Sequence, residues 1–289
     1  MTQESSQELV ASIRARLVHI TQAPLSSEQE AELAECSQQL DQLDKAVRDN
    51  IAALQEARQA RSKFVSVVTH ELRIPMTSIK GYTDLMRSGV VGPVNEQQSS
   101  FLNIIRNNVE RMAALVSDLS DINHMETERL KLDLKPVALS DCVEGALLTL
   151  KSRLDDKQQR LVCEVPTDLS RIHADASRVT QILSYLIGNA SKYTLSGGQI
   201  NVCAKPQGDF VRAEVSDTGI GITPADQAQL FKPFFRSEDA AVRDQPGWGL
   251  ALHVAKGLVE LMGGEIGVQS AIKEGSTFWF TLPVYKTRP

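Results

Sequence analysis

The sequence predicts a two-part fold: an α-helical stalk and hairpin suited to a four-helix bundle, followed by an α/β sandwich. Three observations carry that expectation. Apolar residues recur every seven positions from Leu33 to Leu54. Helical periodicity flanks a Gly-Pro turn near residue 90. After Pro136 helical and alternating runs interleave.

The chain has 289 residues, 42% hydrophobic and 23% charged, which is room for one or two ordinary domains plus extensions. A formal net charge of -5 argues against nucleic acid or an anionic membrane as the main partner. Cys36, Cys142, Cys163 and Cys203 are dispersed, without a C-x-x-C pair, so neither a zinc site nor a disulfide framework is expected. They read as reduced, mostly buried thiols of a cytoplasmic protein. The N-terminus has no long apolar core or cleavage site, and no run approaches the ~18 apolar residues of a membrane span.

Met1 to about Ala23 reads as a short amphipathic helix, broken at Pro24. Ser27 with Glu30 then forms a capping-box pattern. Leu33, Leu40, Val47 and Leu54 fill one position of a heptad, and Cys36, Leu43 and Ala57 the other, which is a coiled-coil seam. Asn50 occupies a seam position, where a polar residue can fix register. The seam continues through Phe64 and Val68 without Gly or Pro, so this helix runs into the next apolar face: Val67, Val68, Leu72, Met76 and Ile79. Ser88 to Pro93 is a turn signal. Phe101, Ile104, Ile105, Val109, Met112, Leu115, Leu119 and Ile122 then mark a second long helix, making an antiparallel hairpin. One hairpin cannot bury its own stripe; two hairpins from two chains would form a four-helix bundle. Met125 to Pro136 reads as a linker. Beyond it, Val143, Ala146, Leu147 and Leu150 mark one helix. Val179, Ile182, Leu183, Leu186 and Ile187 mark another, with Asp175 as its cap. Ile200-Val202-Ala204, Val211-Ala213-Val215 and Phe278-Phe280-Leu282 read as half-buried strands.

His70 is the leading chemical candidate. It projects from a helix, is followed by Glu71, and precedes Pro75, which should bend the helix just after it. A neutral imidazole is abundant near pH 7, since its reference pKa is roughly 6.5. One ring nitrogen can attack while the other gives its proton to Glu71. A lone His-Glu pair is usually a solvated face, so its weight depends on what lies downstream.

Four local signals gather in the second domain. Asn189 lies on the polar side of an apolar helix, where its amide oxygen can hold Mg²⁺ without adding charge; Lys192 and Tyr193 follow a turn later. Asp217, at the end of a strand, offers an acceptor for an exocyclic amine, and Gly219 and Gly221 let the backbone approach a planar ring. Thr223, Pro224 and Asp226 look like a helix start. In LFKPFFR, which also holds Phe231, the adjacent Phe234 and Phe235 after a Pro need a hydrophobic socket, and Arg236 has the reach for a phosphate. Gly247, Gly249 and Leu250 follow a polar stretch, Ser237 to Pro246, that reads as a mobile lid, and they can turn backbone N–H groups toward phosphate oxygens.

Together these segments resemble the sensor histidine kinases. FVSVVTHELRIPMTSIKGYTDLM is similar to the family's H box. The segments around Asn189, DTGIGI, LFKPFFR and GWGLAL are similar to its N, G1, F and G2 boxes, in that order, and GSTFWFTLP, which contains Thr277, to its terminal strand. The resemblance covers roughly Arg61 to Val284. It implies a GHKL-type (Bergerat) fold shared with gyrase-type ATPases. The implied organisation is a signalling segment over 1–60, a dimerisation and phosphotransfer hairpin over 61–130 and a catalytic ATP-binding domain over 137–285. It further implies a cytoplasmic homodimer that takes ATP and Mg²⁺, phosphorylates His70 with Glu71 as proton acceptor, and passes the phosphoryl group to an aspartate of a response regulator. The ATP-binding set becomes Asn189, Lys192, Tyr193, Asp217, Gly219, Gly221, Arg236, Gly247, Gly249, Leu250 and Thr277, with Asn189 on the metal. Four positions depart from the family. Ile74 replaces a polar residue associated with phosphatase activity, which is therefore expected to be weak. Tyr185 replaces a second Asn, Trp248 a small residue, and Ala251 a Gly. A regulator-docking scaffold with little turnover and a gyrase-like ATP-gated dimer are the rival readings.

Overall fold

The protein is described here by a computed structural model covering residues 26–286. The expected helix over residues 1–23 and the Glu30 side chain of the expected capping box lie outside the described residues. The chain divides into two compact units between Phe64 and Val65. The described part of the first is the N-terminal stretch of a single helix, α1 (Ser27–Arg87). Of the heptad positions there, Leu43 and Leu54 are exposed and Leu33 and Leu40 partly buried.

α1 continues through Pro75, so the proline does not end the helix. The carbonyl that Pro75 leaves without a donor belongs to Glu71, an exposed residue, where water satisfies it at little cost. A turn at residues 88–92 leads to α2 (Glu96–Glu126). Asn95 opens α2 with a reciprocal cap: its side chain accepts from the Gln98 N–H at 2.8 Å, and the Gln98 side chain accepts from the Asn95 N–H at 2.9 Å. Between the two helices only a thin core forms, around Met76, Val109 and Val116.

The α/β domain adds β1 (Lys135–Val137), α3 (Leu139–Asp156), β2 (Arg160–Glu164), β3 (Ile172–Ala174), α4 (Ala176–Tyr193), β4 (Gln199–Gln207) and β5 (Phe210–Asp217). It continues with α5 (Pro224–Gln227), α6 (Ala240–Arg243), α7 (Ala251–Leu261), β6 (Ile266–Ala271) and β7 (Gly275–Pro283). Five strands form one mixed sheet in the order β2-β4-β5-β7-β6, with β2 parallel to β4 and every other pair antiparallel. The register lines up Val202, Val215, Phe278 and Val268 across the sheet, so one face presents the apolar residues of the alternating runs. Ile182, Leu183, Leu186 and Ile187 of α4 and Val254 and Leu258 of α7 seal that face and are fully buried.

Two expectations are corrected. Residues 125–136 are not a free linker. Met125, Leu130 and Leu132 pack on the α/β core, and Lys135–Val137 pairs with β3. The thiols are not mostly buried: Cys142 is, but Cys36 and Cys163 are exposed and Cys203 is half-buried, Cys163 on the end strand β2 of the sheet and Cys203 on the face opposite Val202. All four are free thiols. No described helix is long and apolar enough to cross a membrane.

Candidate functional site

His70 stands on α1 with 69% of its side chain exposed, and its Nδ1 lies 3.2 Å from Glu71 Oε1. When Nδ1 carries the ring proton and donates it to Glu71, the lone pair is on Nε2, which points away from that contact. Ile74 lies one turn further along α1 and is exposed.

The second site is a cavity of about 690 Å³ between α4, the β5–α5 loop, the 235–250 segment and α2. α4 positions its floor. Asp175 caps the helix by accepting from the N–H groups of Ser177 and Arg178, and the buried apolar face of α4 leaves Asn189, Lys192 and Tyr193 toward the cavity. Asp217 ends β5, accepts from the Gly219 N–H at 2.8 Å, and faces the same space. Burial holds its carboxyl above the usual range, against the pull of the Gly219 and Ser276 N–H groups. Gly221 has a φ of +73°, and a Cβ there would collide with the Ala271 carbonyl oxygen. Gly249, at φ +71°, would clash in the same way with the backbone of Phe234 and Phe235. Both positions therefore require glycine to bring the backbone to the cavity wall.

Of the expected ATP-binding residues, Asn189, Lys192, Tyr193, Asp217, Gly221, Arg236, Gly247, Gly249 and Leu250 line this cavity. Gly219 and Thr277 do not. Gly219 serves as the N–H donor to Asp217. Thr277 points to the opposite face of β7, where its hydroxyl pairs with Ser216 at 2.9 Å, while its neighbours Ser276 and Phe278 face the cavity. The alternation of β7 puts Ser276, rather than Thr277, on the cavity wall. Phe235 lines the cavity, but Phe234 is 63% exposed at a φ of +62°, outside the expected socket. Trp248 is also on the cavity rim and exposed. Arg236 Nη2 donates to the carbonyls of Val242 and Gln245 at 2.7 and 2.6 Å, so this guanidinium pins the lid segment while lining the cavity.

The cavity is electropositive at one end. Lys192 Nζ lies where a Cβ on Gly247 would be 2.9 Å away, and it donates to the Tyr193 hydroxyl at 2.9 Å. Burial and the positive charges of Arg236 and Arg153 push Lys192 down to about 8. Among the described residues no group of three or more His, Cys, Asp or Glu side chains could hold a metal. Asn189 lines the cavity, and its amide oxygen is the kind of neutral ligand a divalent cation accepts.

Sequence reasoning missed the α2 wall. Arg111, Leu115 and Asp118 also line the cavity. The Asp118 carboxylate accepts a short hydrogen bond from the Tyr185 hydroxyl. Tyr185 also accepts from Gln181 at 3.0 Å, and Gln181 donates to Asp121 at 2.9 Å. Arg178 completes the network with an ion pair to Asp121 at 3.1 Å. Asp118 and Asp121 are both buried. Burial, followed by the neighbouring Asp121 charge, raises Asp118 to about 6, although the Tyr185 hydrogen bond opposes the shift. Tyr185, at the position where the family pattern has a second Asn, thus ties the cavity helix to the hairpin. Only its oddity in the N-box pattern hinted at this.

Two family profiles match the chain. Residues 60–128 match the His Kinase A (phospho-acceptor) domain. Residues 174–286 match the histidine kinase-, DNA gyrase B- and HSP90-like ATPase. The chain belongs to the sensor histidine kinase family. It is 35% identical over 237 residues to the circadian input-output histidine kinase CikA of Synechococcus elongatus, covering 81% of this chain and 31% of that protein. It is 32% identical over 274 residues to the sensor histidine kinase GacS of Pseudomonas protegens, covering 88% of this chain and 29% of that protein. Among solved structures it resembles full-length ShkA in complex with AMPPNP, with a TM-score of 0.61, 27% identity, and coverage of 78% of this chain and 47% of that one. The chain thus spans less than a third of the length of the two kinases named. The hairpin and the α/β sandwich are the two regions that the family profiles match.

Proposed function

We propose that the protein is a homodimeric histidine kinase that phosphorylates His70 from Mg-ATP and passes the phosphoryl group to an aspartate of a response regulator. The observation that carries this reading is the pairing of an exposed imidazole already bonded to a carboxylate with a cavity that gathers Asn189, Lys192 and Asp217.

Asp217 accepts from the exocyclic amine of adenine, and the backbone at Gly221 lets the ring approach. Lys192 and Arg236 neutralise the phosphates, and Gly247 and Gly249 allow the lid backbone to close on them. Asn189 would hold Mg²⁺, which would supply neutralisation of the phosphate charge. In the transfer, Nε2 of His70 forms a bond to the γ-phosphorus as the bond to the ADP oxygen breaks, and Nδ1 gives its proton to Glu71. The chemistry asks for positioning and electrostatics rather than a strong base. Residues 1–60 would pass a signal, 61–130 form the dimerising phosphotransfer hairpin, and 137–285 deliver the nucleotide. The apolar residues left exposed on α1 and α2 support dimerisation.

His70→Gln is expected to abolish labelling from γ-phosphate-labelled ATP while nucleotide binding by isothermal titration stays at the wild-type level. Labelling that persists in the variant would reject His70 as nucleophile.

A further inference from the structure

The cavity holds two cations that no sequence motif marks. Arg153 comes from α3 and Arg111 from α2 of the hairpin, and both line the wall together with Lys192 and Arg236. The four are electrostatic neighbours in a chain. Arg111 and burial lower Arg153, and Arg153 and Arg236 act on Lys192. Among the described residues, the carboxylates that share the wall are engaged elsewhere. Asp118 is bonded to Tyr185, Asp217 to Gly219, Asp226 to Ser237 at 2.7 Å, and Asp239 to the Ala241 N–H at 2.8 Å. Among the described residues the guanidinium groups of Arg153 and Arg111 form no ion pair or hydrogen bond; the neighbours of Arg153 in the cavity wall, Arg111 and Lys192, are themselves cations.

Arg111, Arg153, Lys192 and Arg236 repel one another, and none of them is ion-paired to a wall carboxylate among the described residues, so a polyanion that enters relieves the repulsion. We propose that Arg153 and Arg111 bind the polyphosphate of the nucleotide, so that the substrate is gripped from α3 and from the hairpin as well as from α4 and the lid. The inference rests on the reading of the cavity as an ATP site. Its consequence is specific. A nucleotide bound to Arg111 bridges the α/β domain and the hairpin that carries His70, so phosphate binding and domain docking are coupled.

The test compares ATP with adenosine, which shares the base and ribose but lacks phosphate. Titration of full-length Arg153→Ala with Mg-ATP should show roughly a ten-fold loss of affinity, as expected for a lost charge-assisted contact, and Arg111→Ala a several-fold loss. Adenosine should bind both variants as it binds the wild type. Arg153→Lys and Arg111→Lys keep the charge and should retain most of the ATP affinity; they also serve if an alanine variant fails to fold, as judged by circular dichroism. Unchanged ATP affinity in the alanine variants would overturn the proposal, as would an equal loss for adenosine. A wild-type chain that binds neither ligand would instead defeat the ATP reading itself.

Discussion

Along α4, Ile182, Leu183, Leu186 and Ile187 are fully buried, whereas along α1 Val67, Leu72, Ile74 and Ile79 remain exposed. Both helices carry apolar residues at helical spacing, so local pattern does not separate them. What differs is the surface available within the chain. α4 has a five-stranded sheet to cover, together with α3 and α7, and that sandwich closes its own core. The hairpin has two helices and a core of Met76, Val109 and Val116. The comparison teaches that the α/β domain closes its apolar core within the chain, while the hairpin leaves most of its apolar stripe uncovered among the described residues, which predicts a concentration-dependent stability for the hairpin alone.

The strongest way to break the comparison is to put a charge on the hairpin face. Ile79→Glu would bury a carboxylate in the expected interface, and the dimer is predicted to be lost at micromolar concentration in sedimentation velocity runs. ATP affinity should not change. A variant that remains dimeric would show that this face is not the interface. The counterpart in the α/β domain is Leu186→Ala, which removes a fully buried side chain. It should cost about 2–5 kcal/mol of unfolding free energy in urea, with a midpoint independent of protein concentration. A concentration-dependent midpoint would make this domain as partner-dependent as the hairpin.

A smaller effect probes where the two regions meet. Asp118 titrates near 6 in the folded chain against 3.8 for the free group. Between these values the folded state binds more protons than the unfolded one, so stability falls as pH rises from about 4 to 6. Asp118→Asn keeps an acceptor for Tyr185 and removes that titration. Relative to the variant, the wild type should lose up to about 3 kcal/mol across the interval, read from urea midpoints at a series of pH values. Parallel profiles would mean the carboxylate is not desolvated. The smallest expected effect is confined to the cavity. Lys192, lowered to about 8, loses its charge as pH rises past that value, so ATP affinity should weaken a few-fold between pH 7.5 and 9. Lys192→Arg should flatten the profile, because a guanidinium stays charged throughout. An unflattened profile would place the titration on another group.

Much of the site was legible because its parts are local. Asp217, Gly219 and Gly221 form one turn, and Asn189 and Lys192 share one helix face, so spacing alone groups them. Thr277 is placed in the site by resemblance, while the alternation Phe278-Phe280-Leu282 by itself puts it on the opposite face of β7, where it pairs with Ser216. The short strands β1, β2, β3 and β6 escaped notice because three to six residues carry too little alternation to stand out. The α2 contribution was illegible in principle. Arg111 and Asp118 look like a solvated helix face until the α/β domain is laid against them.

The sequence by itself determined the helix that carries His70, the Asn189 helix, the glycine turn at Asp217 and their order, because each depends on neighbours a few residues away. The tertiary structure decided which cations share a cavity, that Tyr185 is bound to Asp118, and which apolar faces stay uncovered. Those outcomes depend on burial and on charges brought together over long stretches of chain, where Coulomb interaction and desolvation act through space rather than along the backbone.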